Sequence, residues 1–282
     1  RRSRRQRQMC IRDSLGTLGL YSLSTVAYIA FLFMQKKAMH RYGVWLLSAG
    51  LAVHTLSIGT QAFATGHFPV NTLRDTLSFA GWAVAGVFLL FHYRYRVKVM
   101  GIFAAPLAAA IMMVVATMPA SAVAAKPMLK SLWLVSHVTF IFIGEAGLAL
   151  ACGLGVLYLT QEKAIKSKKP GFFFRRLPSL DQLDTAGYGC ILGGFIMMTL
   201  GLILGVVYAK TIWGRFWSWD PKEVWSGISW LLYAAMIHMR LSVGWRGRRS
   251  AIMAIFGFAT VLFTFLGVNL FLSGHHGEFT RW

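Results

Sequence analysis

The sequence predicts an all-α, polytopic membrane protein with about eight transmembrane helices, and three observations support this fold class. Hydrophobic residues make up 56% of the 282 residues and charged residues only 13%, whereas soluble proteins average about 45–50% and about 25%. Several apolar runs reach the roughly 20 residues that a helix needs to cross the hydrocarbon core. Strand-like alternation of apolar and polar residues does not recur along the chain, which disfavours a β-barrel.

The apolar runs divide the chain into eight predicted helices, separated by short polar or basic loops. The fifth helix is long enough to project beyond the bilayer or to tilt, and a long basic loop follows it. The seventh helix begins directly after a tryptophan-rich stretch. The predicted ranges are about 15–34, 44–64, 76–91, 100–118, 131–160, 185–209, 221–240 and 250–272.

The charge pattern indicates a membrane rather than a nucleic acid. A formal net charge of +20 would suggest nucleic-acid binding in a soluble protein. Here most basic residues lie in short loops between apolar runs, where they set topology. The loops after the odd-numbered helices carry most of these residues and are predicted to be cytoplasmic. The tryptophan-rich stretch and the C-terminus are therefore predicted to face outward, with membrane lipid and no nucleic acid as a partner.

The first fourteen residues differ sharply in composition from the rest of the chain. They hold six Arg and one Asp, and eight spans would place them on the outward side against the positive-inside preference. We therefore expect residues 1–14 to be a non-native or disordered basic segment. Residues 15–282 are then predicted to form a single membrane domain.

Residues 213–225, with the sequence WGRFWSWDPKEVW, concentrate four tryptophans in one segment, and their shape suits a large, flat, apolar ligand. An interfacial aromatic belt explains one or two tryptophans per helix end, but it explains this density less well. Asp220 and Glu223 flank a proline in a capping-box pattern, so a helix cap is the first interpretation of both. The segment's candidate ligand-binding residues are Trp213, Trp217, Trp219, Trp225 and Arg215.

Two histidine positions flank this segment on the predicted outward side. His137 lies just inside the outward end of helix five, and His275 and His276 lie just beyond helix eight. Neutral imidazole is a good iron ligand, and haem iron takes axial histidines, so haem is a candidate for the flat ligand. Arg215 and Lys222 either pair with the haem propionates or only solvate the surface.

Two further ionisable residues are candidates because such groups are costly within membrane spans. His238 falls near the inner end of helix seven, where it either ligates a haem entering from the cytoplasmic side or lies among the headgroups. Glu145 lies in the middle of helix five, and the sequence does not indicate its partner. His40 and His92 are expected to be solvated or headgroup-facing, without a role.

Several segments carry a resemblance to a known family. The segments GHFPVNTLRDTL, LKSLWLVSHVTFIF, YLTQEK and LPSLDQLD occur in this order. The tryptophan-rich segment follows them and continues to GVNLFLSGHH. Together they resemble the c-type cytochrome biogenesis proteins of the tryptophan-rich haem-handling superfamily, and most closely the CcsA/ResC branch of System II. The resemblance extends from about His67 to His276.

The resemblance implies that a CcsB/ResB-type membrane subunit joins this chain to form cytochrome c synthase, a cytochrome c haem lyase. Such a complex exports haem b across the bacterial cytoplasmic membrane and attaches it to the CxxCH motif of apocytochrome c. In this likeness His137 and His276 correspond to the two external haem ligands, and His238 to the histidine within the membrane. The doubled histidine at 275 and 276 leaves that position open.

Synthase activity is expected of the complex alone, and no catalytic group is expected from this chain. Two alternatives remain. A System I type protein that hands haem to a carrier shares the tryptophan motif but usually has fewer spans. A non-haem transporter or structural subunit would use the tryptophans only as an interfacial belt.

Overall fold

A computed structural model of the protein describes residues 2–70, 72–119, 131–168 and 171–272. The regular structure in these ranges is helical, and the eight long helices predicted from the sequence are confirmed. They are α1 (Arg2–Met34), α2 (Lys37–Thr65), α3 (Leu73–Tyr95), α4 (Gly101–Thr117), α5 (Leu132–Lys166), α6 (Leu180–Trp213), α7 (Pro221–Ser242) and α8 (Arg248–Leu262). A 3₁₀ turn, Lys98–Met100, precedes α4, while α8 continues through a π-helical turn, Phe263–Gly267, into a last α-helical turn, Val268–Phe271.

Local capping chemistry sets several of the helix ends. The Thr72 hydroxyl accepts a hydrogen bond from the Asp75 backbone N–H at 3.1 Å and so begins α3. Ser179 does the same for α6, accepting from the Gln182 backbone N–H at 3.3 Å. Gly214 ends α6 with a φ of +73°, a left-handed conformation that glycine adopts without steric cost.

Seven helices in the described ranges are long and apolar enough to cross a membrane: α1 from Ser14, α2, α3, α4 with its preceding 3₁₀ turn, α5, α6, and α8 with its π turn. The exception is α7, whose composition does not meet that criterion. Its contacts nevertheless run the length of α6. Lys222 lines a cavity together with Trp213 at the end of α6, and Arg240 pairs with Asp184 near the start of α6.

α1 begins at Arg2, so its backbone is helical through most of the basic segment at residues 1–14. The expectation that residues 1–14 are a non-native or disordered segment stays a prediction.

Close packing of α5 against α6 fixes the position of the functional site. A Cβ added at Gly144 would lie 2.8 Å from the Met198 backbone nitrogen and 2.9 Å from the Gly194 carbonyl oxygen. A Cβ added at Gly147 would lie 3.2 Å from the Gly194 Cα. Small residues of this kind let the backbones of membrane helices approach closely. His137 lies two turns before Gly144 on α5, so its position relative to α6 follows from this contact.

The opposite end of the bundle is held by ion pairs. The two terminal guanidinium nitrogens of Arg240, Nη1 and Nη2, donate to the Asp184 carboxylate at 3.0 and 2.7 Å. The Gly247 backbone N–H donates to the same carboxylate at 2.8 Å, and the Arg240 guanidinium lies over the Tyr188 ring. This cluster joins the start of α6, the end of α7 and the loop before α8. Asp184 belongs to the LPSLDQLD segment, which therefore has a structural role.

Candidate functional site

A largely apolar cavity of about 260 Å³ opens at the end of the bundle where α5 begins and α6 ends. Its walls come from α3, α5, α6, α7, α8 with its π turn, and the loop between α6 and α7. Three of the predicted site residues line it: His137, Trp213 and Trp217. The structure therefore brings together residues that are up to 80 positions apart in the sequence.

His137 is held in the cavity wall by α6. Its Nδ1 lies 2.7 Å from the Gly201 carbonyl oxygen. Because a carbonyl only accepts hydrogen bonds, Nδ1 carries the proton and Nε2 has the lone pair of the neutral ring. A Cβ added at Gly205 would lie 2.6 Å from the His137 Cε1. The glycines at 201 and 205, one turn apart on α6, thus provide both the hydrogen-bond acceptor and the space for the imidazole.

The loop between α6 and α7 is held by Glu223. Its carboxylate accepts from the Ser218 backbone N–H at 2.8 Å, the Ser218 hydroxyl at 2.9 Å and the Asp220 backbone N–H at 3.3 Å. The Asp220 carboxylate accepts from the Lys222 backbone N–H at 2.9 Å. The capping box predicted from the sequence is confirmed, and it also fixes the turn that carries the tryptophans.

The aromatic and basic residues predicted to bind the ligand in segment 213–225 have different surroundings. Trp217 lines the cavity with 40% of its side chain exposed, and its ring approaches α7 at Gly227. Trp219 is 77% exposed and has a φ of +58°, a conformation that is rare for a bulky side chain. The two indole rings are perpendicular, with centroids 5.9 Å apart. Trp225 instead packs edge-on against Phe263 at 4.5 Å, and Arg215 is exposed and does not line the cavity.

Glu145 and Lys222 line the same cavity. Lys222 is therefore the charged group near Glu145 that the sequence did not indicate. The two charges are close enough to interact electrostatically. Neither the Glu145 carboxylate nor the Lys222 ammonium makes a hydrogen bond or direct ion pair with the described residues. Glu145 lies eight residues after His137 on α5, about 12 Å further along the helix axis.

The α8 side of the cavity contains the π-helical turn, which contributes Thr264 and Phe265 to the lining. The hydroxyl groups of Ser229 and Thr264 are 3.3 Å apart, so α7 is tied to the π turn behind the cavity. π-Helical turns are rare and frequently occur at functional sites.

The other predicted haem ligands are not found in the cavity within the described ranges. His238 is exposed on α7, 17 residues after its first residue and so about 26 Å along its axis. His276, like His275, lies outside the described ranges. Among the described residues that line the cavity, His137 is the only histidine.

Three other histidines belong to the helix packing. His54 is 2% exposed and lies within hydrogen-bond distance of the Tyr21 and Ser78 hydroxyl groups, at 3.3 and 3.0 Å. Of the two alternatives predicted for His40 and His92, solvated is wrong, and headgroup-facing stays a prediction. They lie within α2 and α3, half-buried, with ring centroids 5.1 Å apart. The cause is that both helices extend several residues beyond their apolar runs.

Sequence reasoning missed the contact of His137 with Gly201 and Gly205, which we call the glycine seat of His137. It also missed that Lys222 lies near Glu145. The spacing of Gly201 and Gly205, four residues apart on one helix face, was a usable signal for close packing. No local signal relates Glu145 to Lys222, because they lie 77 positions apart and come together only where α5 and α7 line the same cavity.

Residues 70–276 match the family described as Cytochrome C assembly protein. The chain is 36% identical over 245 residues to the cytochrome c biogenesis protein CcsA of Prochlorococcus marinus, covering 79% of each chain. It is 30% identical over 318 residues to CcsA of Gloeothece citriformis, covering 94% of this chain and 96% of that relative.

Among solved structures, the chain is similar in fold to the cytochrome c heme lyase CcmF, with a TM-score of 0.65 and 16% identity. The match covers 97% of this chain and 48% of CcmF. Given the match over residues 70–276 and the identity to CcsA proteins over most of its length, the chain belongs to the cytochrome c assembly protein family.

Proposed function

We propose that this chain is the haem-handling membrane subunit of a System II cytochrome c synthase, and that the cavity beneath the tryptophan-rich segment receives the haem. The observation that carries the proposal is the setting of His137. Its Nδ1 donates to the Gly201 carbonyl, and in this tautomer Nε2 is the nitrogen with the chemistry of an iron ligand. The apolar walls around it suit a porphyrin.

The size of the cavity indicates how haem would lie. At about 260 Å³, it is slightly below the common range of about 300–1,000 Å³ for small-molecule pockets. Haem would therefore occupy the cavity and extend past its opening, where the exposed rings of Trp217 and Trp219 offer flat apolar surface. Trp213 and Trp217 contact the porphyrin in this arrangement, whereas Trp225 acts through its packing on Phe263.

A second axial ligand would come from the chain beyond α8. Phe265 lines the cavity, and the last described residue, Leu272, precedes His276 by four positions. His276 is the proposed partner of His137, with His275 as its alternative. His238, at the other end of α7, would bind haem on its way from the opposite side of the membrane. The CcsB/ResB-type subunit would supply the second histidine there.

The chemistry of attachment follows from the apocytochrome thiols. Each CxxCH cysteine adds across one haem vinyl group: a C–S bond and a C–H bond form, while the S–H bond and the C=C π bond are lost. The role of this chain is to hold the haem in position, which raises the effective concentration of vinyl carbon near thiol. The cavity would open to the outer face of the bacterial cytoplasmic membrane, since the loops at the opposite end are the more basic ones.

The test is the absorption spectrum of the complex purified with its partner subunit, compared with His137→Ala and His276→Ala. We expect a low-spin, bis-histidine haem spectrum in the wild type. Either substitution should weaken it, and added imidazole should partly restore it. A haem content and spectrum unchanged in both variants would rule out these ligands. For His238→Ala, the expected result is less haem at the outer site.

A further inference from the structure

Two ionisable side chains of opposite type lie inside an apolar cavity without direct contact, and burying such groups without a partner costs free energy. Burial of charged groups is compensated in proteins by direct pairing and hydrogen bonding. Glu145 and Lys222 are near enough to interact electrostatically. Within the described part of the chain, however, neither head group has a hydrogen bond or direct ion pair.

The position of the Lys222 ammonium makes it available to a ligand. Its backbone N–H is fixed by the cap at Asp220, so the residue sits on the rigid first turn of α7. Its side chain faces the same cavity as His137. An ammonium group in an apolar setting binds a carboxylate more strongly than the same group in water.

We propose that Lys222 binds a propionate carboxylate of haem, and that the Glu145 carboxylate offsets the Lys222 charge across the cavity when no ligand is present. This inference rests on the proposed function and assigns a binding subsite within the cavity. Haem b carries its two propionates on the pyrrole rings opposite those that carry the vinyl groups. Anchoring the propionate edge at Lys222 therefore places the vinyl edge on the side of the porphyrin that faces away from Lys222.

The geometry favours Lys222 over the other basic residue of this segment. Arg215 is exposed and does not line the cavity, so its guanidinium remains solvated. Lys210 also points away, since its ammonium donates to the Gly214 carbonyl at 2.8 Å. The expectation that Arg215 pairs with a propionate is thus less well supported than the same expectation for Lys222.

The test compares haem with haem dimethyl ester, in which both propionates are blocked, using the full chain in lipid nanodiscs. Because the ester partitions more strongly into lipid, the quantity compared is the ratio of the two affinities in each variant relative to wild type. Lys222→Gln should reduce the preference for free haem by at least about tenfold. Lys222→Arg should keep most of it, and Arg215→Gln should leave it unchanged.

Glu145→Gln gives the opposite expectation. Removing the competing carboxylate should raise the preference for free haem above the wild-type value, because Lys222 then lacks its counter-charge until the ligand arrives. Wild-type protein that binds both ligands with the same relative affinity as Lys222→Gln would overturn this inference while leaving the proposed function intact. A wild-type chain that binds neither ligand would instead contradict the proposed function. Circular dichroism of every variant verifies that it is folded.

Discussion

Two pairs of opposite charges lie near the two ends of α6 and α7, and they are built differently. The distal pair, Asp184 and Arg240, is bidentate and closed by the Gly247 N–H and the Tyr188 ring. The cavity pair, Glu145 and Lys222, faces open space without direct contact. A pair that only stabilises a fold satisfies its hydrogen bonds internally. A pair left incomplete in a cavity is suited to exchange partners with a ligand.

Breaking the distal pair should have the largest effect, and that effect should be on stability. In the pair, the Arg240 and Asp184 side chains are 11% and 9% exposed, so Arg240→Gln leaves a buried carboxylate without its counter-charge. We expect the free energy of unfolding to fall by about 3 kcal/mol, measured by denaturation in nanodiscs. The relative affinities for haem and its dimethyl ester should not change.

Arg248→Gln is the matched control for this variant. Arg248 donates to Glu162 at 3.2 Å, but its side chain is 61% exposed, and exposed pairs contribute less than about 1 kcal/mol. Equal destabilisation by Arg240→Gln and Arg248→Gln would show that the distal pair has no special role.

At the cavity end, the seat of His137 depends on shape rather than charge. Gly205→Ala places a Cβ 2.6 Å from the imidazole and must displace it. We expect haem affinity to fall by about tenfold or more, as found when groups that orient metal-binding residues are altered. Haem titration followed by absorption measures this.

Gly187→Ala, on the same helix, is the control for helix propensity. Its nearest neighbour would be the Leu154 Cβ at 3.8 Å, an ordinary contact. If both alanine variants bind haem as the wild type does, the glycine seat is not required.

A smaller effect is expected from the cap that holds the tryptophan loop. Glu223→Ala removes the acceptor of three hydrogen bonds around Ser218 and Asp220. We expect a loss of about 1–2 kcal/mol in stability and a change in tryptophan fluorescence near the cavity. Glu223→Gln preserves an acceptor and should show less than half of each change. Identical fluorescence in wild type and Glu223→Ala would mean that the loop is held by other contacts.

The sequence predicted the features that depend on neighbouring residues in the chain. Apolar run length predicted the eight helices, and the spacing of Asp220, Pro221 and Glu223 predicted the cap. Prediction failed where tertiary packing decides. His40 and His92 meet because α2 and α3 run past their apolar segments, and Glu145 meets Lys222 because α5 and α7 share a cavity. Composition also keeps α7 below the hydropathy expected of a membrane span, although α7 packs along α6.

The predicted set of site residues divides in the same way. Trp213, Trp217 and His137 are brought together because α5 and α6 approach closely through glycines. Trp219, Trp225 and Arg215 belong to the same segment but do not line the cavity, and Trp219 has a left-handed backbone conformation. Periodicity cannot reveal this, since a single positive φ reorients the residues around it.

The central claim, that His137 is an iron ligand in this cavity, is tested most directly by changing the ligand rather than removing it. In the purified complex, His137→Met should convert a bis-histidine haem into a histidine–methionine haem, with a shifted absorption spectrum and a higher reduction potential. His67→Met, in the loop between α2 and α3, serves as the control and should match wild type. A spectrum and potential of His137→Met identical to those of wild type would contradict the account.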